Sequence, residues 1–255
     1  MARPRESPGR LALDGIWPVR LGWVMSQRWA NLLYLHYRVD ASSLRPLVPA
    51  SLEIEEFDGS AWVSVVPLQM KDVRLRDFLP IPGATDFAEV NMRTYVRWGG
   101  VSGVYFISID AASALASFVA RSTFHLPYRS SEVSLTESEG EFHVTCRRSA
   151  GDVQLEARYR PTGRVEEPSP LLSFLAERYC MYAVGAFGRL LRGDISHLPW
   201  QVQPAEATIV RNDLLAASGV TPLEPDPVSA YSVGSDSKCW LMRPASYPER
   251  IWPRR

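Results

Sequence analysis

Apolar and polar residues alternate along much of this chain with the period of two that a pleated strand imposes, because successive side chains point to opposite faces. The pattern is cleanest between residues 131 and 160. Phe142, Val144 and Cys146 alternate with His143, Thr145 and Arg147, while Val153, Leu155, Ala157 and Tyr159 alternate with Gln154, Glu156 and Arg158. Glu139-Gly140 and Gly151-Asp152 supply the breaks, so residues 131–136, 141–147 and 153–160 read as a meander with one face towards water. Residues 52–57 and 61–66 flank Asp58-Gly59, a pair suited to the positive φ of a tight hairpin. Residues 87–98 and 103–110 read as strands about a Gly99-Gly100 turn. Residues 104–109 are apolar on both faces, which predicts a strand in a sheet covered on both sides. Further strands are expected at 32–39, 178–184, 195–197, 201–209, 227–233 and 239–242.

Helical signals are few and short. Asp40 caps a turn through Ser42, Leu44 and Leu47 that Pro49 stops. Asp110 is placed to cap an Ala-rich helix over 111–121, and Ser169-Pro170 opens another over 171–177. Residues 74–86, with Pro80, Pro82 and Gly83, form a loop long enough to cover something. Many strands with a few short helices, and no regular βαβ alternation, give an α+β class that is mainly antiparallel β. Closing the sheet into a barrel protects its edges. Residues 1–20 read as an Arg- and Pro-rich extension, and 21–255 as one domain.

Composition narrows the partners. Of 255 residues 46% are hydrophobic and 22% charged, with 28 Lys plus Arg balancing 28 Asp plus Glu, so nothing points to nucleic acid. No apolar stretch approaches the ~20 residues that span a bilayer as a helix, and Arg3, Arg5, Glu6, Arg10 and Asp14 break any leader-like core. The expectation is a protein of the cytoplasm, with no membrane partner. Cys146, Cys180 and Cys239 are odd in number and far apart, which fits a reducing compartment and argues against a cysteine zinc site. His36, His125, His143 and His197 have no metal-ligand spacing, and no phosphate-binding glycine motif or G-x-S-x-G elbow occurs. Neither a metal nor another cofactor is expected. A homo-oligomer is left open. Only Lys71 and Lys238 are lysines, so 26 of the cations are arginines and amine chemistry has two candidates.

The segment Phe87-Ala-Glu89-Val-Asn91-Met-Arg93-Thr-Tyr95-Val-Arg97 carries most information about chemistry. In a strand Glu89, Asn91, Arg93, Tyr95 and Arg97 form one polar row, which reads either as a solvent face laced by ion pairs or as a pocket wall. An interior setting favours the wall, where a buried Glu89 and Arg93 must pair with each other or with a ligand. Arg121, His125, Tyr128 and Arg129 cluster at the end of the Ala-rich helix, where cations also suit a helix C-terminus. Glu177, Arg178, Tyr179 and Tyr182, and His197 before Pro199-Trp200, rank below the Glu89 row.

Several separated motifs, in order, carry a resemblance: Tyr37-Arg-Val-Asp40, Leu44-Arg45, Leu47-Val-Pro49, Leu52-Glu53, Phe57-Asp-Gly59 with Ala61-Trp62, Glu89-Val-Asn-Met-Arg-Thr-Tyr95, Gly103-Val-Tyr-Phe106, Leu126-Pro-Tyr128, Glu177-Arg-Tyr179 and His197-Leu-Pro-Trp200. Together they resemble the YqjF-like family of uncharacterised bacterial proteins, grouped by fold with the acetoacetate decarboxylases. The resemblance implies a cone-shaped, mostly antiparallel barrel with an interior ligand pocket. In the decarboxylases a pocket lysine forms a Schiff base with a β-keto acid, its amine tuned by desolvation and a neighbouring cation. Here Tyr128 and Arg129 fall at the lysine positions, and neither forms an imine. The resemblance therefore implies a small carboxylate or carbonyl ligand, with Glu89, Arg93 and Tyr128 as catalytic residues and Tyr95, Arg121, His125 and Arg129 binding substrate. Proton transfer, hydration, aldol or cyclisation chemistry suits such a set. A non-catalytic binding protein and a decarboxylase using Lys71 or Lys238 stay open as alternatives.

Overall fold

Asp58 and Gly59 take φ of 52° and 69°, and the chain reverses there between β3 (Glu56–Phe57) and β4 (Ser60–Leu75). This hairpin follows β1 (Met25–Val39), α1 (Ala41–Leu44), capped by the Asp40 carboxylate on the Ser42 amide at 2.8 Å, and β2 (Glu53–Ile54). The computed structural model describes residues 22–76, 80, 83–165 and 167–245. The extension expected at 1–20 lies outside them, as do parts of the 74–86 loop.

Gly99 and Gly100, at φ 57° and 80°, turn β5 (Phe87–Trp98) into β6 (Val101–Ala111). Strand β6 continues past Asp110, so that residue does not cap a helix. The helix α2 (Ala114–Phe124) starts three residues later on Ser113, whose Oγ accepts from the Ala116 amide at 3.1 Å. Asp110 is buried instead, and its carboxylate takes Nε and Nη2 of Arg148 at 2.9 Å each and the Ser131 hydroxyl at 2.8 Å. The meander follows as β7 (Tyr128–Ser138), β8 (Glu141–Arg148) and β9 (Gln154–Pro161). Next come α3 (Pro170–Ala176), capped by Ser169, then β10 (Cys180–Val184), β11 (Leu190–His197), β12 (Val202–Asn212), α4 (Leu214–Ala217), β13 (Val228–Cys239) and β14 (Arg243–Pro244). The strand expected at 227–233 runs on as β13 to Cys239, because Gly234 at φ 118° lets the chain bend and continue, whereas 240–242, expected as strand, lie beyond its end.

All strands join one 14-stranded sheet, mostly antiparallel, that closes twice. One ring runs β5-β6-β7-β8-β9-β12-β13-β1-β4 and back to β5; the other runs β6-β10-β11-β13-β1-β4-β5 and back to β6. Strands β13, β1, β4, β5 and β6 are common to both. The first ring is filled by packed side chains, among them Leu33, Leu35, Val63, Val65, Val90, Met92, Val144 and Leu155. The second encloses a cavity. On the shared wall, residues alternate between the two interiors, which is why it is buried on both faces.

One irregularity aligns this wall. Asn31 has φ 52°, and the β1–β4 register shifts by one residue between Ala30 and Leu35. Residues 25, 27 and 29 face the cavity before the shift and Leu32 after it. Asn31 is held by three contacts: its Nδ2 donates to Gln69 Oε1 at 3.0 Å, and the Tyr231 and Tyr159 hydroxyls donate to its Oδ1 and its carbonyl, both at 2.9 Å.

Candidate active site

Each strand of the second ring contributes to a cavity of about 140 Å³. The helix α2 covers it with Leu115, Ala116, Val119, Ala120 and Phe124, and Trp29, Leu68, Met70, Phe106, Ile109, Met181 and Trp200 make its walls largely apolar. Three of the polar residues on the lining come from β5. Glu89, Asn91 and Arg93 occupy alternate positions on its cavity side, next to Leu68, Val66 and Ser64 of β4 and to Ala111, Ile109 and Phe106 of β6.

Glu89 is only 5% exposed. Burial raises its carboxyl from 4.5 to about 7 and the nearby Asp110 adds to the rise, against the lowering effect of hydrogen bonds from Tyr128 and Asn91. The Tyr128 hydroxyl donates to Glu89 Oε2 at 2.8 Å, and Asn91 Nδ2 donates to Oε1 at 3.4 Å. Burial and the Glu89 carboxylate push the Tyr128 phenol well above its ordinary range, so it stays a donor. Tyr128 reaches Glu89 because parallel pairing of β6 with β7 sets it beside Ile109.

Arg93 does not pair with Glu89. Its Nε and Nη2 are buried without any hydrogen-bond partner, as is Oδ1 of Asn91. Its Cζ lies 5.8 Å from the centre of the Tyr34 ring. Behind it, His36 Nδ1 is 2.6 Å from Ser64 Oγ, which is 2.5 Å from the Tyr95 hydroxyl. Burial first, then the Arg93 charge, pushes the His36 imidazole down to about 3, leaving it neutral. A guanidinium whose Nε and Nη2 lack a partner in largely apolar surroundings has the chemistry to take a carboxylate.

The residues expected to bind substrate are placed differently. Tyr95 is fully buried beside Phe174 and is not part of the lining. Arg121 and His125 are exposed on the outer side of α2 and at its end, where His125 takes φ 53° as the C-cap. Arg129 is exposed because strand alternation turns it away from the cavity that Tyr128 faces. Glu89, Arg93 and Tyr128 are the members that line one cavity. Arg178 and His197 also line it. Arg178 is held by Glu55 through Nη1, packs on Phe174 with its Cζ 4.4 Å from the ring centre, and donates from Nε to the Phe174 carbonyl at 2.7 Å. Glu55 also takes Arg97 at 2.6 Å and the Ser102 hydroxyl at 2.6 Å; Arg178, unlike Arg93, is ion-paired. Both lysines are exposed and neither lines the cavity, Lys238 lying 5.2 Å from the Trp23 ring centre. Among the described residues, no cluster of three His, Cys, Asp or Glu side chains forms a metal site, and no helix is long and apolar enough to cross a membrane.

A closed, mostly antiparallel sheet with an interior cavity under a helix is the acetoacetate decarboxylase-like fold. Acetoacetate decarboxylase from Legionella pneumophila subsp. pneumophila str. Philadelphia 1 superposes with a TM-score of 0.65 at 14% identity, covering 96% of this chain and 98% of that one. The enduracididine biosynthesis enzyme MppR complexed with pyruvate gives 0.66 at 16% identity, covering 96% and 99%. Within that fold the chain belongs to the DUF2071 family, described as an uncharacterized conserved protein, which matches residues 26–236. It is 39% identical over 225 residues to the uncharacterized protein YqjF of Bacillus subtilis (strain 168), covering 87% of this chain and 92% of that protein.

Proposed function

We propose that the cavity binds a small organic acid bearing a carbonyl group and that Glu89 and Tyr128 carry out proton transfer on it, Arg93 holding the carboxylate and no lysine forming an imine. One observation carries this reading: a carboxyl held near neutrality by burial, bonded to a phenol donor, shares a cavity with an unpaired guanidinium. A carboxyl at about 7 is populated in both forms at neutral pH, as general acid–base work requires. As a base Glu89 takes a proton from the carbon beside the carbonyl, and Tyr128 turns its hydroxyl to the oxygen that gains charge. Enolisation of this kind is the first half of aldol, dehydration and cyclisation reactions. The pyruvate named with MppR supports a carbonyl acid as ligand in this fold.

The test is deuterium exchange in D2O, followed by proton NMR on pyruvate and longer oxo acids. Wild-type protein is expected to catalyse exchange beside the carbonyl, with a rate that rises as Glu89 ionises through about pH 7. Glu89→Gln slows it by about 10²-fold or more, whereas Arg93→Met weakens binding. Binding without exchange of any carbonyl acid would overturn the catalytic reading and leave a binding protein.

A further inference from the structure

We infer that the cavity selects its ligand by length, taking an acid whose carbonyl lies five or six carbons from its carboxylate, with an apolar chain between. The inference rests on the proposed roles of Glu89, Tyr128 and Arg93, and it follows from how β5 spaces them.

Glu89 and Arg93 are four residues apart on one face of one strand, which at ~3.3 Å per residue separates their Cα atoms by about 13 Å. Side chains stand roughly perpendicular to a sheet, so along the strand the separation carries over to the working atoms, and sideways leans only add to it. Cross-strand neighbours place the two groups at different ends: Glu89 between Leu68 and Ala111, Arg93 between Ser64 and Phe106. Tyr128 draws the Glu89 carboxylate to the β7 side, at 2.8 Å. Arg93 leans the other way, over Tyr34 of β1, 5.8 Å from its ring centre. No ion pair joins Glu89 to Arg93 among the described residues, although Glu89 is buried and Arg93 buries its Nε and Nη2 unpartnered.

Between the poles, Val66 and Ile109 flank Asn91, so the middle of the track is apolar apart from one amide. A contact of about 3 Å at each pole leaves about 7 Å for the ligand, which an extended chain covers in five or six bonds at roughly 1.2 Å each. Pyruvate reaches one pole at a time. The cavity volume agrees: about 140 Å³, at roughly 10–15 Å³ per water-sized sphere, is more room than a three-carbon acid fills.

The experiment is a titration of the full chain by calorimetry with methyl-keto acids of rising length: pyruvate, levulinate, 6-oxoheptanoate, 7-oxooctanoate and 10-oxoundecanoate. Each buried methylene contributes about a fourfold gain, so 6-oxoheptanoate is expected to bind on the order of 10²-fold more tightly than pyruvate, with affinity levelling or falling by 10-oxoundecanoate. The neutral ketone 2-heptanone should bind at least tenfold more weakly than 6-oxoheptanoate, and Arg93→Met should erase that difference while leaving 2-heptanone unchanged. Tightest binding of pyruvate, an affinity that climbs without limit, or equal binding of ketone and acid each overturn the inference. Exchange measured in parallel separates it from the catalytic reading. A length optimum with no exchange upholds the length rule and removes catalysis; Glu89-dependent exchange of pyruvate with no length optimum does the reverse.

Discussion

Replacing Glu89 with glutamine removes a titratable carboxyl and keeps a side chain of the same shape. Burial holds that carboxyl at about 7 against an ordinary 4.5, so between those values the folded chain keeps a proton that the unfolded chain has released. Stability therefore falls as pH rises across the window and stays lowest above it. The full cost is about 3 kcal/mol, most of which develops between pH 5 and pH 8. Glu89→Gln escapes it. Allowing about 1 kcal/mol for the altered bond with Tyr128, the variant should exceed wild type by about 2 kcal/mol at pH 8, and the two should be nearly equal at pH 5. In a chain of this size that is a rise of about 5 °C in Tm. Urea unfolding of both proteins at pH 5, 6.5 and 8 measures it. A difference that does not grow with pH, or a variant less stable at pH 8, would refute the claim that Glu89 is held against its own ionisation. A gain in stability with loss of exchange is the trade-off expected where a site keeps a group in an unfavourable setting.

Other outcomes follow from the framework around the site. Asp110 and Arg148 are 0% and 8% exposed, so Arg148→Met, which strands the carboxylate, should cost about 3–5 kcal/mol; the double variant Asp110→Asn with Arg148→Met should recover part of it in urea unfolding. A Cβ at Gly234 would come within 1.9 Å of the Trp29 carbonyl oxygen, at a φ of 118°. Gly234→Ala should thus lose at least about 2 kcal/mol, read as a lower thermal midpoint. Lys71→Met with Lys238→Met should leave ligand binding unchanged, and borohydride with pyruvate should add no mass to either protein; a trapped adduct on the wild type alone would restore lysine chemistry.

The alternation of β5 and the Asp58-Gly59 hairpin were legible because period-two burial and positive φ act over a few residues. The same rule, applied one step further, separates Tyr128 from Arg129: neighbours on a strand cannot both face one cavity. Arg121 and His125 look like site residues because they are close to Tyr128 in sequence, yet α2 turns its apolar side to the cavity and leaves them outside. Asp110 had the form of a helix cap, but its partner is Arg148, which no local pattern announces. Glu55 and Arg178 meet across 123 residues, and the bulge at Asn31 depends on tyrosines from β9 and β13. The double closure of the sheet is equally non-local, since β6 and β13 each change partner partway along one edge.

The wall common to both rings separates two kinds of freedom in sequence. Along β5, Phe87, Glu89, Asn91 and Arg93 line the cavity, and Val90, Met92 and Val96 pack into the other interior. Ligand preference can drift by exchange at 89, 91 and 93 while 90, 92 and 96 stay under the constraint of packing alone. Relatives built on this sheet can diverge at the cavity positions of a strand without renegotiating the packing behind it, and a library randomised at 89, 91 and 93 would vary what the cavity accepts while the packed face stays as it is.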